Sequence, residues 1–138
     1  MTVTIEIPLP PKGCAQNDRG HWRVRAKANK IHHDEAFNVA MAAFLQHGAL
    51  NPPVKVSHTW YMARDPREAM RGATRRYRPL DEGNAIGALK AAIDGVVAAG
   101  LLVADSHKVL KWGDGVLHRN AWNHGGRSCV ILEFVEVA

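Results

Sequence analysis

At 138 residues the chain has the length of one domain with a real core, and 46% hydrophobic with 22% charged residues excludes a disordered or fibrous polymer. No apolar run approaches the roughly 18 residues of a membrane span, and the opening residues 1–11 lack the basic-then-apolar order of a signal peptide, so a cytoplasmic protein with no membrane partner is expected. The net charge of +5 and pI near 9.6 favour a polyanionic partner, because clustered Lys and Arg gain affinity by releasing phosphate counterions.

In chain order, Val3 and Ile5 alternate with Thr4 and Glu6 as a short strand, which the prolines from Pro8 onward and the segment 12–17 break. From Lys27 to Gln46 the chain is free of Gly and Pro, and Ile31, Ala36, Val39, Ala43 and Phe44 make a helical stripe that His47-Gly48 would stop. After Pro52-Pro53, the alternation of Val54, Val56, His58, Trp60 and Met62 with polar neighbours predicts a strand with one buried face. Residues 64–80 read as a basic connection. Asp81 to Ala99 is the second helix, with Ile86, Leu89, Ile93, Val96 and Val97 on the 3.6 period and Gly100 just past its end. Two further strands are expected at 107–112 and 128–137, around a turn-rich stretch from Asn120 to Gly126. The whole, 1–138, is a single α/β (α+β) domain in which a small mixed sheet packs against two main helices.

The helical wheel singles out one residue. With Ile86 at zero, Lys90 falls about 40° to one side and Ile93 about 20° to the other, so a lysine sits in the apolar stripe and calls for a partner or a site. Asp94, about 40° further on, is one turn away and can pair with it.

Arg78-Pro79-Leu80-Asp81-Glu82-Gly83-Asn84, the helix holding Lys90 and Asp94-Gly95, and Gly100-Leu101-Leu102-Val103-Ala104-Asp105 together resemble the RusA-like Holliday junction resolvases. That family runs Asp-x-Asp-Asn at a helix head, then a lysine and an Asp-Gly/Ala-Leu, then an Asp-Asp pair opening a strand. Ile7-Pro8-Leu9-Pro10-Pro11 with Asn17, and Val130-Ile131-Leu132-Glu133, resemble its two ends, so the likeness spans nearly the whole chain. It implies a homodimeric, Mg²⁺-dependent (or Mn²⁺-dependent) endonuclease that nicks four-way and other branched DNA in recombination, repair or phage DNA processing, in a bacterial or phage-infected cell. On this resemblance Asp81, Lys90 and Asp105 are catalytic, and Asp81 and Asp105 hold the metal. The chemistry suits the residues, since phosphodiester hydrolysis needs hard oxygen ligands, a polarised water and a cation for the developing charge.

Two positions depart from the pattern. Gly83 stands where the family has its second Asp, and Ala104-Asp105-Ser106 stands where it shows Asp-Asp, so Asp105 matches either member of the pair. Glu82 or Asp94 is the candidate to replace the missing ligand. The alternative that follows is a RusA-like module that binds branched DNA without cutting it efficiently. Simpler roles also exist: Asp81 as a helix cap, Lys90 and Asp94 as an i,i+4 pair, Asp105 as a turn residue.

Basic residues flank this stretch on both sides. Arg19, Arg23, Arg25, Lys27 and Lys30 follow the first strand, and Arg64, Arg67, Arg71, Arg75, Arg76 and Arg78 precede Asp81 with only Asp65 and Glu68 against them. Arg19, Arg23, Arg25, Lys27, Arg71, Arg75, Arg76 and Arg78 are the expected phosphate contacts, and the connection, broken by Gly72, is expected to be ordered by DNA. His32-His33-Asp34-Glu35 is not read as a metal site, because adjacent helical histidines diverge by about 100°. Trp22, Trp60, Trp112 and Trp122 are read as core and rim residues rather than stacking platforms. Cys14 and Cys129 are read as ordinary thiols.

Overall fold

A computed structural model describes residues 1–11, 14, 21–62, 82–113, 117–120 and 128–137, with the backbone alone at 82 and 117–120. The basic connection at 64–80 and Asp81 lie outside the described residues. Strand β1 (Thr2–Ile7) is followed by helix α1 (Trp22–His47), strand β2 (Val54–Met62), helices α2 (Glu82–Ala88) and α3 (Lys90–Ala98), and strands β3 (Leu110–Trp112), β4 (Leu117–Asn120) and β5 (Cys129–Glu136). The sheet runs β1-β5-β2, with β3 and then β4 lying along the outer side of β2. β5 is antiparallel to both neighbours, whereas β3 and β4 are parallel to β2. The mixed sheet and two main helical segments expected from the sequence are thus present.

Register explains why the alternating pattern works. Ile7 pairs with Val130 and Val130 with Trp60, Ile5 with Leu132 and Leu132 with His58, Val3 with Phe134 and Phe134 with Val56. Each row places three buried side chains on one sheet face, while Thr4, Glu133 and Ser57 form a row on the other face. Over the buried face, α1 and α3 pack on each other, and Ala36, Ala40, Leu89, Ala92, Ile93 and Val96 close the core.

Several boundaries differ from expectation for identifiable reasons. α1 starts at Trp22, five positions before Lys27, because its first turns are exposed all round and so carry no apolar stripe; His21 caps it by accepting from the Arg23 N–H at 3.2 Å. Its buried face is Ala28, His32, Ala36 and Ala40, and Ile31 is exposed. α3 comes close to this helix: a Cβ on Gly95 would overlap the His33 carbonyl oxygen and lie 3.1 Å from the Phe37 nitrogen. Gly48 does end α1, with φ 76° and its N–H on the Phe44 carbonyl at 2.7 Å.

The single helix expected over 81–99 is divided at Leu89, whose N–H is shared between the Ala85 and Ile86 carbonyls at 3.1 Å each. Gly100, with φ 91°, follows its end as expected. β3 begins at Leu110 rather than 107, since the Ser106 carbonyl takes the Val109 and Leu110 N–H groups into a turn at 2.9 and 2.8 Å.

His32 is fully buried, and neither ring nitrogen has a hydrogen-bond partner among the described residues. Burial lowers its pKa from 6.5 to about 4, so the folded chain keeps it neutral where the unfolded chain takes up a proton. That contribution to stability is complete above pH 6.5 and is lost, at about 1.4 kcal/mol per pH unit, as the pH falls towards 4. In urea titrations at pH 7 and pH 5, His32→Leu is expected to lose less stability on acidification than the parent; equal losses would refute this.

Candidate functional site

Where α2, α3 and β3 meet, an open cavity of about 230 Å³ lies over the core. α2 gives it Gly83, Ile86 and Gly87, α3 gives Lys90 and Ile93, β3 gives Leu110 and Trp112, and Asp105 enters from the loop before β3. Ile86, Lys90 and Ile93 therefore share one face, as the wheel predicts. Lys90 nevertheless remains exposed, because it heads α3 beside the cavity rather than under the neighbouring helix. Gly83 and Gly87, one turn apart, carry no side chain into the cavity. Their i,i+4 spacing is the sequence signal for an opening on that face.

Lys90 and Asp105 are brought to the same cavity from positions 15 apart in sequence. Both are exposed, and neither has a hydrogen bond or ion pair with any described residue. In particular, Lys90 does not pair with Asp94, which is exposed and does not line the cavity. The simple i,i+4 pair is thus not formed. Asp81, the Glu82 side chain, Arg19, Arg71, Arg75, Arg76 and Arg78 lie outside the described residues. Arg23, Arg25 and Lys27 stand exposed on the first turns of α1.

Behind the cavity the wall is aromatic. Trp112 meets His58 edge-on, with ring centroids 5.3 Å apart, and His58 Nδ1 accepts from Trp60 Nε1 at 3.0 Å inside the core. Trp60 is a core residue as expected and Trp112 a rim residue, whereas Trp22 is 67% exposed; Trp122 lies outside the described residues. Cys14 and Cys129 are buried and in no disulfide among the described residues, with Cys129 Sγ donating to Glu6 Oε1 at 3.6 Å, and burial pushes the Cys14 thiol up.

Among the described residues no three His, Cys, Asp or Glu side chains stand together as a metal cage, the 32–35 cluster included. Mg²⁺ does not require one. It keeps several waters and is held through one or two carboxylates plus substrate phosphates, so the Asp105 carboxylate at an open cavity fits that lower requirement. Lys90 beside it fits a phosphate oxygen as a point charge.

No protein-family model matches the chain, and no curated protein matches it. Its chemistry has to be read from the residues themselves. Among the described residues no helix is long and apolar enough to cross a membrane.

Proposed function

We propose that this protein binds branched DNA as a homodimer in the manner of RusA-like Holliday junction resolvases, and that the cavity shared by Asp105 and Lys90 is where it hydrolyses a phosphodiester. The observation that carries this reading is the meeting of an unpaired carboxylate and an unpaired ammonium, among the described residues, at one open cavity. Asp105 would hold Mg²⁺ or Mn²⁺, with Asp81 as the further ligand that the resemblance implies. When bound, the metal supplies an activated water and neutralises phosphate charge. Lys90 binds a non-bridging phosphate oxygen and stabilises the charge that develops there. Ile86, Ile93, Leu110 and Trp112 form the apolar wall that fixes the depth to which the backbone can enter.

A second reading, a module that binds branched DNA but cuts it poorly, is favoured by Gly83, which faces the cavity without a carboxylate. A labelled four-way junction, incubated with and without Mg²⁺ or Mn²⁺, separates the two. Nicking supports the nuclease, retardation without nicking supports the module, and neither at low salt removes both.

Binding to the junction is expected to exceed binding to linear duplex and to fall steeply with salt. Replacing Arg23 and Lys27 with Ala removes two exposed cations, so the log–log salt slope should become shallower by about two. An unchanged slope would detach α1 from the DNA. Arg75→Ala with Arg76→Ala should weaken binding about equally on all sequences, because phosphate contacts position rather than specify. Loss confined to one sequence would indicate base readout instead.

A further inference from the structure

The head of α1 is built unlike the rest of the molecule. Residues 21–27 are all exposed, and Ala28 is the first residue of the helix to be buried. Six residues at 1.5 Å each carry this head about 9 Å beyond the first packed turn. At its tip Trp22 is 67% exposed, an unusual setting for the largest apolar side chain. Two neighbours lie against its ring: the His21 ring stacks on it, with centroids 5.7 Å apart and planes 29° apart, and the Arg23 guanidinium lies 5.3 Å from its centroid.

The surroundings decide what such a ring can receive. Arg23, Arg25, Lys27 and Lys30 follow it with no carboxylate before Asp34, which is taken by Lys30 at 2.9 Å. Arg23 and Lys27 fall about 40° apart on the wheel and about 6 Å apart along the axis, a stripe that matches one phosphate-to-phosphate step of a DNA strand, while Lys30 is held by Asp34. A second copy of the head would meet this one cation to cation. The other exposed large apolar residues of this half of the helix, Val24 and Ile31, lie about 160° to 180° around from Trp22, with only the small Ala26 on its side, so there is no extended apolar face for a helix partner or a lipid surface. A ligand that is flat, π-faced and anionic satisfies both the ring and the stripe.

We propose that Trp22 is a stacking platform for an unpaired base, with Arg23 and Lys27 on the flanking phosphates, so that the head of α1 recognises the unstacked nucleotides of a branched or single-stranded DNA. This rests on the reading of the chain as a DNA-binding protein, and it adds a second contact remote in sequence from the cavity. A base slides against the indole as His21 and Arg23 already do, and the cations hold its strand in register.

Anisotropy titrations of the full chain at fixed low salt, with labelled oligo(dT) and with an uninterrupted duplex of the same length, test it. Trp22→Ala should weaken oligo(dT) binding about tenfold or more, and duplex binding by less than about twofold, while Trp22→Phe recovers most of the loss because it keeps a π-face. The exposed position means that helix content should stay constant in all three proteins. Equal losses on both DNAs, no loss on oligo(dT), or a Phe variant as weak as the Ala variant overturns the platform while leaving DNA binding intact. So does a wild-type chain that binds duplex but not oligo(dT), or a Trp22→Ala variant whose main change is its oligomeric state. A wild-type chain that binds neither DNA instead overturns the DNA-binding reading itself.

Discussion

Asp105→Asn is expected to lower metal-dependent nicking of a four-way junction by about 100-fold or more, while metal-free binding of the junction changes by less than about twofold. The asymmetry follows from where the side chain stands. Asp105 is exposed and has no partner among the described residues, so an amide of the same shape costs the fold little. What the amide lacks is the charge that holds a hard divalent cation, and losing several kcal/mol of metal-borne stabilisation is two or more decades in rate. Lys90→Met should also slow cleavage by about 100-fold, because it removes the one described cation lining the cavity and keeps most of the stem. Gel-based single-turnover nicking at saturating Mg²⁺ measures both. Nicking that survives Asp105→Asn would put the chemistry elsewhere.

Gly83 supplies the complementary arm of that experiment. It lies within α2 and is not one of the glycines with left-handed backbone, which among the described residues are Gly48 and Gly100. The backbone at 83 therefore admits an aspartate, at a position that lines the same cavity as Asp105 and Lys90. Gly83→Asp should raise nicking. A silent parent with an active Gly83→Asp variant would identify the present chain as the binding module.

How much of this was legible in the sequence varied with the physics involved. The three long strands were readable because one sheet face is buried, and a single buried face forces the period of two seen in Val3, Ile5 and Ile7 or Val130, Leu132 and Phe134. The meeting of Ile86, Lys90 and Ile93 was readable because a wheel needs only local geometry. The face of α1 was not, since it depends on the close approach of Gly95 on another helix, next to which Ala36 and Ala40 are buried while the larger Ile31 is exposed. Nor was the exposure of Trp22 legible: composition assigns a tryptophan to core or rim, and only the length by which α1 overshoots its packing partner leaves the ring outside. Asp105 beside Lys90 is what the resemblance implies; residue patterning alone does not give it, because it needs a turn at Ser106 leading into β3, which pairs with β2.

The crossing of α1 and α3 carries the largest expected effect on stability. Gly95→Ala should destabilise the fold by about 2 kcal/mol, although in an isolated helix the same change would favour the folded state by nearly 1 kcal/mol. The reason is what stands opposite. The added Cβ would overlap the His33 carbonyl oxygen and press on the Phe37 nitrogen, both backbone atoms in the middle of a 26-residue helix, and backbone held by helical hydrogen bonds cannot rotate aside as a side chain would. The two helices have to move apart, which loosens the contacts of Ala36, Ala40, Ala92 and Val96 together. For a chain of this size that corresponds to a fall in Tm of roughly 6 to 12 °C. Gly48→Ala provides the contrast, because nothing lies within 4 Å of a Cβ there and its cost comes only from φ 76°. Gly48→Asn should therefore cost about as much as Gly48→Ala, since φ 76° with ψ −173° is a backbone that essentially only glycine adopts, whereas at 95 every larger side chain, Asn included, should be worse than Ala. Thermal melts of the four variants check the order; a Gly95→Ala protein as stable as the parent would mean that α1 and α3 do not cross at this distance.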